Sequence, residues 1–230
     1  MNRTAKRAYW AVIAIAMSLT FGLGCSPLTG LWLLKNDGKA PAAYKLEPKE
    51  GRKDVVVAVL VSTAPEIGTK PQFATLDRDL ALAIGATLTE ETAKEKVKVT
   101  VVDPAKVERM RSLNPERFDT AERGEIAQRL GADYLLQVNL TDFGLYGNGF
   151  GKELPQGHAG MEVAVYEAGE ANGVKKYDYP FGWEAPQSAA TGDIPVSGYQ
   201  RWFVKELGKL IAQHHVKHTA DRERGMFQKR

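Results

Sequence analysis

Residues 55–61 read VVVAVLV. Seven consecutive apolar side chains, most of them β-branched, are typical of a central strand that is covered on both faces. Such a strand needs other elements packed against each of its sides. The stretch therefore predicts the centre of a sheet with helices laid against it.

Helical and strand patterns alternate after this strand. Apolar residues recur every three or four positions from Leu76 to Leu88, which is typical of a helix with one buried face. Asp103 before Pro104 is typical of a capped helix start, and Gly131 is typical of a helix end. The predicted helices cover residues 73–96, 105–113, 119 or 120 to 130, and 199–216, and the further strands cover 97–102, 132–143, 161–166 and 174–183.

A glycine-rich segment separates the strands of the second half. We expect residues 144–160 to form a long loop that contains His158, because six glycines lie within it. The resulting order is β-α-β-α-α-β-β-β-α. It predicts one mixed α/β sheet in a single, three-layer-like domain over residues 54–216.

The N-terminal segment has a different composition. Arg3, Lys6 and Arg7 precede a charge-free run over residues 8–24, and Cys25 follows it directly. A basic start, an apolar core and small residues before a cleavage point predict a signal peptide over residues 1–24. Two alternatives stay open: an uncleaved anchor, short for a bilayer about 30 Å thick, or ordinary secretion. All three place the remaining chain outside the cytoplasm.

This segment resembles a bacterial lipoprotein signal peptide. The box before the cut reads Gly22-Leu23-Gly24-Cys25, where lipoproteins usually have leucine at the first position and a small residue at the third. The resemblance implies cleavage between Gly24 and Cys25 and lipidation of the thiol, for example with palmitate. Cys25 is the chain's sole cysteine, so no intramolecular disulfide is expected.

Two flanking segments complete the predicted organisation. Residues 25–53 are expected to be a lipidated cysteine followed by a flexible tether, within which the apolar stretch 28–34 either enters the bilayer surface or covers the domain. Residues 217–230 are expected to be a basic flexible tail. The whole chain has 31 basic and 28 acidic side chains, and the three basic residues of the predicted signal peptide account for the difference. The chain beyond this leader, residues 25–230, therefore has no net charge. A neutral chain argues against nucleic-acid binding.

Motifs for cofactors and metals are incomplete. The pair Gly151-Lys152 lacks the upstream glycine and the following Ser or Thr of a phosphate-binding loop. His214 and His218 are four residues apart and are weak candidates for a metal pair, but zinc usually takes further ligands, and histidines also suit a helix C-terminus. No cofactor is predicted.

Catalytic candidates are few and lack partners. Asp103 and Asp142 each follow a predicted strand and would share one sheet edge if those strands were parallel, although Asp103 also suits a helix cap. His158 could act as a general base, but the sequence offers it no partner. These residues support an alternative hypothesis, an envelope hydrolase or a metal-dependent enzyme. Without a complete catalytic motif, we expect no enzymatic activity.

A family resemblance rests on residues 126–143, IAQRLGADYLLQVNLTDF, and above all on Leu130 to Tyr134. Together with the order of elements, this stretch resembles the small α/β domain of bacterial lipoproteins such as CsgG and LpoB and of the N-terminal domain of TolB. The resemblance implies an envelope lipoprotein that binds another envelope protein and lies on the periplasmic face of the outer membrane, in agreement with Ser26 after the cysteine. It leaves open the partner, the pathway and the oligomeric state. Besides a protein-binding lipoprotein and an enzyme, a ligand-binding module is a third hypothesis for the function.

Overall fold

The apolar run 55–61 lies in a strand that is buried on both faces, as predicted. Val55, Val57, Val59 and Val61 contact one side of the domain, and Ala58 and Leu60 contact the other. The computed structural model describes residues 39–49, 51–93, 95–146, 155–169, 175–185 and 195–219. Pro41–Arg230 forms one compact unit, and Met1–Ala40 is assigned to a separate one.

The described elements follow the predicted order, with short additions. They are β1 (Lys39–Ala40), β2 (Asp54–Thr63), α1 (Pro65–Gly68), a 3-10 turn (Pro71–Phe73), α2 (Leu76–Thr92), β3 (Lys98–Val101), α3 (Pro104–Leu113), α4 (Pro115–Thr120), α5 (Arg123–Leu130), β4 (Tyr134–Tyr146), β5 (Pro155–Glu167), β6 (Lys175–Glu184), α6 (Val196–Gln213) and β7 (His218–Thr219). None of the helices within these ranges is long and apolar enough to span a bilayer.

Five strands form one mixed sheet in the order β3-β2-β4-β5-β6. Strands β3 and β4 both run parallel to β2, and Val57 pairs with Val101 on one side and Tyr134 on the other. Strands β4, β5 and β6 form an antiparallel meander. The prediction of a mixed α/β sheet is therefore confirmed.

Helices α2 and α6 cover one face of the sheet and contact each other. Their inward side chains are fully buried, including Leu80, Ile84, Phe203, Leu207 and Ile211. The two helices approach closely where Gly208 lies against Ala83, since a Cβ at position 208 would be 2.6 Å from the Cβ of Ala83. Glycine at this position permits a backbone approach that no larger residue allows.

Helices α3, α4 and α5 cover the opposite face, but only over part of the sheet. Their buried residues Val107, Phe118, Ile126 and Leu130 pack against Ala58, Leu60 and Leu135 of β2 and β4. On this side, β5 and β6 expose Glu162, Asp178 and Glu184. Counting only the described residues, the domain thus has three layers over its parallel half and two over its antiparallel half.

A buried carboxylate joins α5, β2 and β4. Gly131 ends α5 with a left-handed backbone (φ 73°), which glycine adopts readily. Two residues later, Asp133 is only 4% exposed. Its carboxylate accepts hydrogen bonds from the backbone N–H of Val56 (2.8 Å) and from Nη1 of Arg52 (2.9 Å). The short motif from Leu130 to Tyr134 therefore fixes where β2 begins beside β4.

The predicted boundaries were wrong at three places. Strand β4 runs to Tyr146 and β5 begins at Pro155, so much of the expected loop 144–160 is strand. Antiparallel pairing with the neighbouring strand, which places Gly144 opposite His158, outweighs the low strand propensity of glycine. Residues 115–120 form an additional helix, capped by the Asn114 side chain. Helix α6 ends at Gln213 rather than at residue 216.

Part of the expected tether is packed against the domain. Leu46 is 4% exposed and belongs to the main core. The N–H of Tyr44 donates to the carbonyl of His214 (3.0 Å), and the hydroxyl of Tyr134 donates to the carbonyl of Glu47 (3.0 Å). The compact unit consequently starts at Pro41 and not at residue 54. The predicted signal peptide over residues 1–24, Cys25 and residues 220–230 lie outside the described residues.

Candidate functional site

The structure brings together two of the catalytic candidates, Asp142 and His158. Nε2 of His158 lies 3.6 Å from Oδ2 of Asp142. Both side chains lie on the face of the sheet that carries α3, α4 and α5, in the part that these helices do not cover. His158 lies in β5, not in a loop, and its ring sits directly over Gly144. A carboxylate beside an imidazole can orient it as a base, but catalysis by such a pair also needs a nucleophile or a bound substrate.

The contact between Gly144 and the ring of His158 can be tested by mutation. A Cβ at position 144 would be 2.2 Å from Cε1 of the imidazole, so Gly144→Ala should displace the ring and lower the free energy of unfolding by about 1–3 kcal/mol. In the His158→Ala background the same change should cost less than about 0.5 kcal/mol, since the obstacle is gone. Urea unfolding of the four proteins in this cycle measures the coupling. Equal costs in both backgrounds would contradict the described contact.

Asp103 and Asp142 do not share a site. Asp103 caps α3 by accepting a hydrogen bond from the N–H of Ala105 (2.9 Å), which confirms the predicted cap. Because Val101 and Tyr134 both pair with Val57, Asp103 is level with Leu136. Asp142 lies six residues farther along β4, about 20 Å away at 3.3 Å per residue. The hypothesis that the two aspartates share one sheet edge was wrong, because the registers separate them along the sheet.

The histidines at the C-terminus do not share a helical face. His214 is the residue that follows α6, and its ring stacks on Tyr179 (centroids 4.5 Å apart). His218 starts β7, and its Nδ1 lies 3.2 Å from the carbonyl oxygen of Val216. The spacing of four residues therefore does not correspond to one helical turn. Within the described parts of the chain, no three histidine, cysteine or acidic side chains are grouped as metal ligands.

Sequence reasoning missed His215, the most buried titratable residue of this region. It is 1% exposed, and its Nε2 lies 3.4 Å from the hydroxyl of Tyr179. Burial, with a smaller contribution from His214, lowers the pKa of His215 to about 3. The sequence did contain a signal for the burial of His215, because this residue follows Ile211 by four positions and so continues the apolar stripe of α6.

A groove of about 400 Å³ lies at the start of α6. Phe73, Phe143 and Tyr146 contribute apolar surface to it, and Lys70 and Gln200 contribute polar groups. The ammonium group of Lys70 lies 5.9 Å from the centroid of the Phe73 ring, within the range of a cation–π contact. The groove is within the size range of small-molecule sites and is relevant to the hypothesis of a ligand-binding module.

Comparisons with known proteins give structural similarities only. No protein-family model and no curated protein match the chain. The structure is similar to a PelC variant in a dodecamer from Paraburkholderia phytofirmans, with a TM-score of 0.43 and 11% identity over 77% of this chain and 95% of the other. It is also similar to lipoprotein GNA1162 from Neisseria meningitidis, with a TM-score of 0.39 and 14% identity over 70% of this chain and 97% of the other. A third similar structure is protein XCC0632 from Xanthomonas campestris, with a TM-score of 0.36 and 9% identity over 75% of this chain and 90% of the other.

Proposed function

We propose that the chain is a non-enzymatic lipoprotein of the bacterial cell envelope, anchored through lipid on Cys25, that acts by binding another envelope protein. The observation that carries this proposal is the position of the sole cysteine, directly behind a basic start and a charge-free run. Among three interpretations of that leader, lipidation is the one that uses the cysteine. The order of elements and the resemblance of residues 126–143 support the same conclusion.

The anchor has a simple physical basis. Each buried CH₂ group contributes about 0.8 kcal/mol, so one acyl chain binds reversibly and two or more hold a protein stably. Ser26 after the cysteine favours the periplasmic face of the outer membrane. The chain beyond residue 24 adds little net attraction of its own for anionic lipid headgroups, since it carries as many acidic as basic side chains.

The folded part offers broad surfaces suited to contact with a protein. The side of β5 and β6 that faces away from α2 and α6 is solvent-exposed. Strand β6 also forms one edge of the five-stranded sheet. Exposed polar surface of this kind is common in non-obligate interfaces. A photo-crosslinking residue at Glu162 should capture the same membrane-derived partner repeatedly, whereas one at Leu82 on the outer side of α2 should not. Identical crosslinks at both positions would argue against a specific surface.

The anchor itself is tested by Cys25→Ala. We expect the variant to lose palmitate labelling completely and to leave the membrane fraction, because no thiol remains to be acylated. Ser26→Ala is the matched control and should keep the label. Undiminished labelling of the Cys25→Ala protein would refute the proposed lipid anchor.

An enzyme is the second candidate, and the Asp142–His158 pair favours it. If that pair is catalytic, His158→Ala and Asp142→Ala should each reproduce the phenotype of a deletion while the thermal unfolding temperature changes little. Asp103→Ala should then have no such phenotype, since Asp103 lies elsewhere. Wild-type phenotypes for both pair variants would support the binding function.

A further inference from the structure

A segment before β2 is held against the domain by aromatic contacts. We refer to residues 41–49 as the strap. The ring of Tyr44 stacks on that of Tyr177 in β6, with centroids 5.1 Å apart and an angle of 14°. The N–H of the same residue donates to the carbonyl of His214, at the end of α6. The strap, β6 and the end of α6 therefore meet at one joint.

Two imidazoles occupy this joint. The ring of His215 meets those of Tyr44 and Tyr177 edge-on, at centroid distances of 6.4 and 6.5 Å. His214 stacks on Tyr179 and meets Phe181 edge-on. In the described structure, Nδ1 of each histidine is buried and has no hydrogen-bond partner. A protonated ring would need such a partner at both of its nitrogens.

Among the described residues, the groups that face the two rings supply no negative charge at neutral pH. They are Tyr44 from the strap, Tyr177 and Tyr179 from β6, and His218 beyond α6. Burial raises the pKa of Tyr179, so its hydroxyl stays protonated. No carboxylate of the described residues forms an ion pair with His214 or His215. A positive charge on either ring would consequently be buried without compensation from the described residues.

We propose that this joint is an acid-sensitive latch: protonation of His214 or His215 releases the strap from β6 and α6 while the sheet and its helices stay folded. In the closed state, with the strap bound, protonation would place a charged imidazole among aromatic rings with little access to water. Once the strap has left, water solvates the charged ring. Acid thus favours the open state.

The pH range of the latch follows from the direction of the shifts. Burial lowers the pKa of His215 to about 3 and also lowers that of His214 from its ordinary value of 6.5. Above about pH 6.5 both rings are neutral in either state, and the joint is at full strength. As the pH falls from 6.5 towards 3, the open state takes up protons that the closed state excludes. The strap becomes progressively less stable over this interval.

Release would change the reach of the proposed anchor, a consequence that depends on the lipidation of Cys25, whereas the latch itself does not. The strap holds nine residues that connect the anchor to β2. Extended, nine residues span up to about 30 Å. Because the closed strap already spans part of this length, an open strap would let the domain move farther from the membrane by less than about 30 Å.

Hydrogen exchange with mass spectrometry tests the latch on the full chain in detergent. Exchange is compared at pH 7 and at about pH 5, after correction for the intrinsic rate at each pH. We expect peptides from the strap to lose about tenfold or more of their protection at the lower pH, because the ordinary histidine pKa lies well above it. Peptides from β2 should retain theirs.

Two variants complete the test. His214→Phe/His215→Phe keeps the aromatic contacts without a titratable ring and should abolish the acid response of the strap. His158→Gln, outside the joint, should leave it unchanged. Equal strap protection at both pH values, equal loss of protection in β2, or an undiminished response in the double variant would each overturn the latch. None of these outcomes depends on whether Cys25 carries lipid.

Discussion

Gly208→Ala is expected to lower the free energy of unfolding by about 2–3 kcal/mol, and Gly208→Leu is expected to prevent folding. A Cβ at this position would lie 2.6 Å from the Cβ of Ala83 and 2.9 Å from two backbone atoms of α2. Backbone atoms inside a helix cannot rotate away as a side chain can. Helices α2 and α6 would have to separate and open the main core between them.

The size of this effect is notable because alanine is the better helix former. In an exposed helix interior, glycine to alanine stabilises by roughly 1 kcal/mol, so the clash has to exceed that gain. Urea unfolding measures the difference. Lys205→Ala, an exposed change within one turn of Gly208, should stay within about 0.5 kcal/mol of the wild type.

A double variant separates the two parts of the clash. Ala83→Gly removes the facing Cβ, so it should restore part of the stability lost in Gly208→Ala. Recovery should be incomplete, because the backbone carbon of Ala83 and the nitrogen of Ile84 stay in place. A Gly208→Ala protein as stable as the wild type would contradict the close packing of α2 on α6.

Asp133→Ala is expected to cost about 3–4 kcal/mol of unfolding free energy. The change removes the acceptor for the N–H of Val56 and for Arg52 and leaves a small cavity at the buried position 133. An unsatisfied buried donor costs about 1–3 kcal/mol, and the loss of the ionic partner and of packing adds to this. Asp133→Asn keeps an oxygen for Val56 and should cost about half as much.

The matched control is Asp178→Ala. Asp178 also forms an ion pair, with Lys175 at 3.0 Å, but both side chains are exposed. Exposed pairs contribute about 0–1 kcal/mol, so this variant should be nearly as stable as the wild type. Thermal and urea unfolding compare the three proteins. Similar losses for Asp133→Ala and Asp178→Ala would show that burial of the carboxylate does not matter.

Patterns that depend on local chemistry were predicted correctly. The apolar run of β2 identified the centre of the sheet, since a strand buried on both faces has no polar positions. The cap at Asp103 and the helix end at Gly131 were also correct, because each depends on one residue and its immediate neighbours. The order of elements followed from these signals.

Features that depend on contacts distant in sequence could not be predicted. Residues 144–146 and 155–160 form strand only because β4 and β5 pair across them, and composition alone indicated a loop. The strap is fixed by Tyr177, Tyr134 and the end of α6, which are more than 80 residues away. Burial of Asp133 depends equally on β2. Such contacts are set by register and packing, which periodicity does not report.

The candidate site shows the same division. His158 lacked a partner in the sequence, and the bulge between Leu140 and Asp142 supplies one by bringing the carboxylate beside the ring. Asp103 and Asp142 both follow β-strand patterns, but the registers place them far apart. The lipidation of Cys25 and the cleavage after Gly24 stay predictions, since both residues lie outside the described structure.

Mass spectrometry of the chain purified from its native membrane tests the central claim most directly. We predict that residues 1–24 are absent and that the first residue is Cys25, with lipid on its sulfur. A chain that retains its leader, or one that begins at Cys25 with a free thiol, would contradict the account.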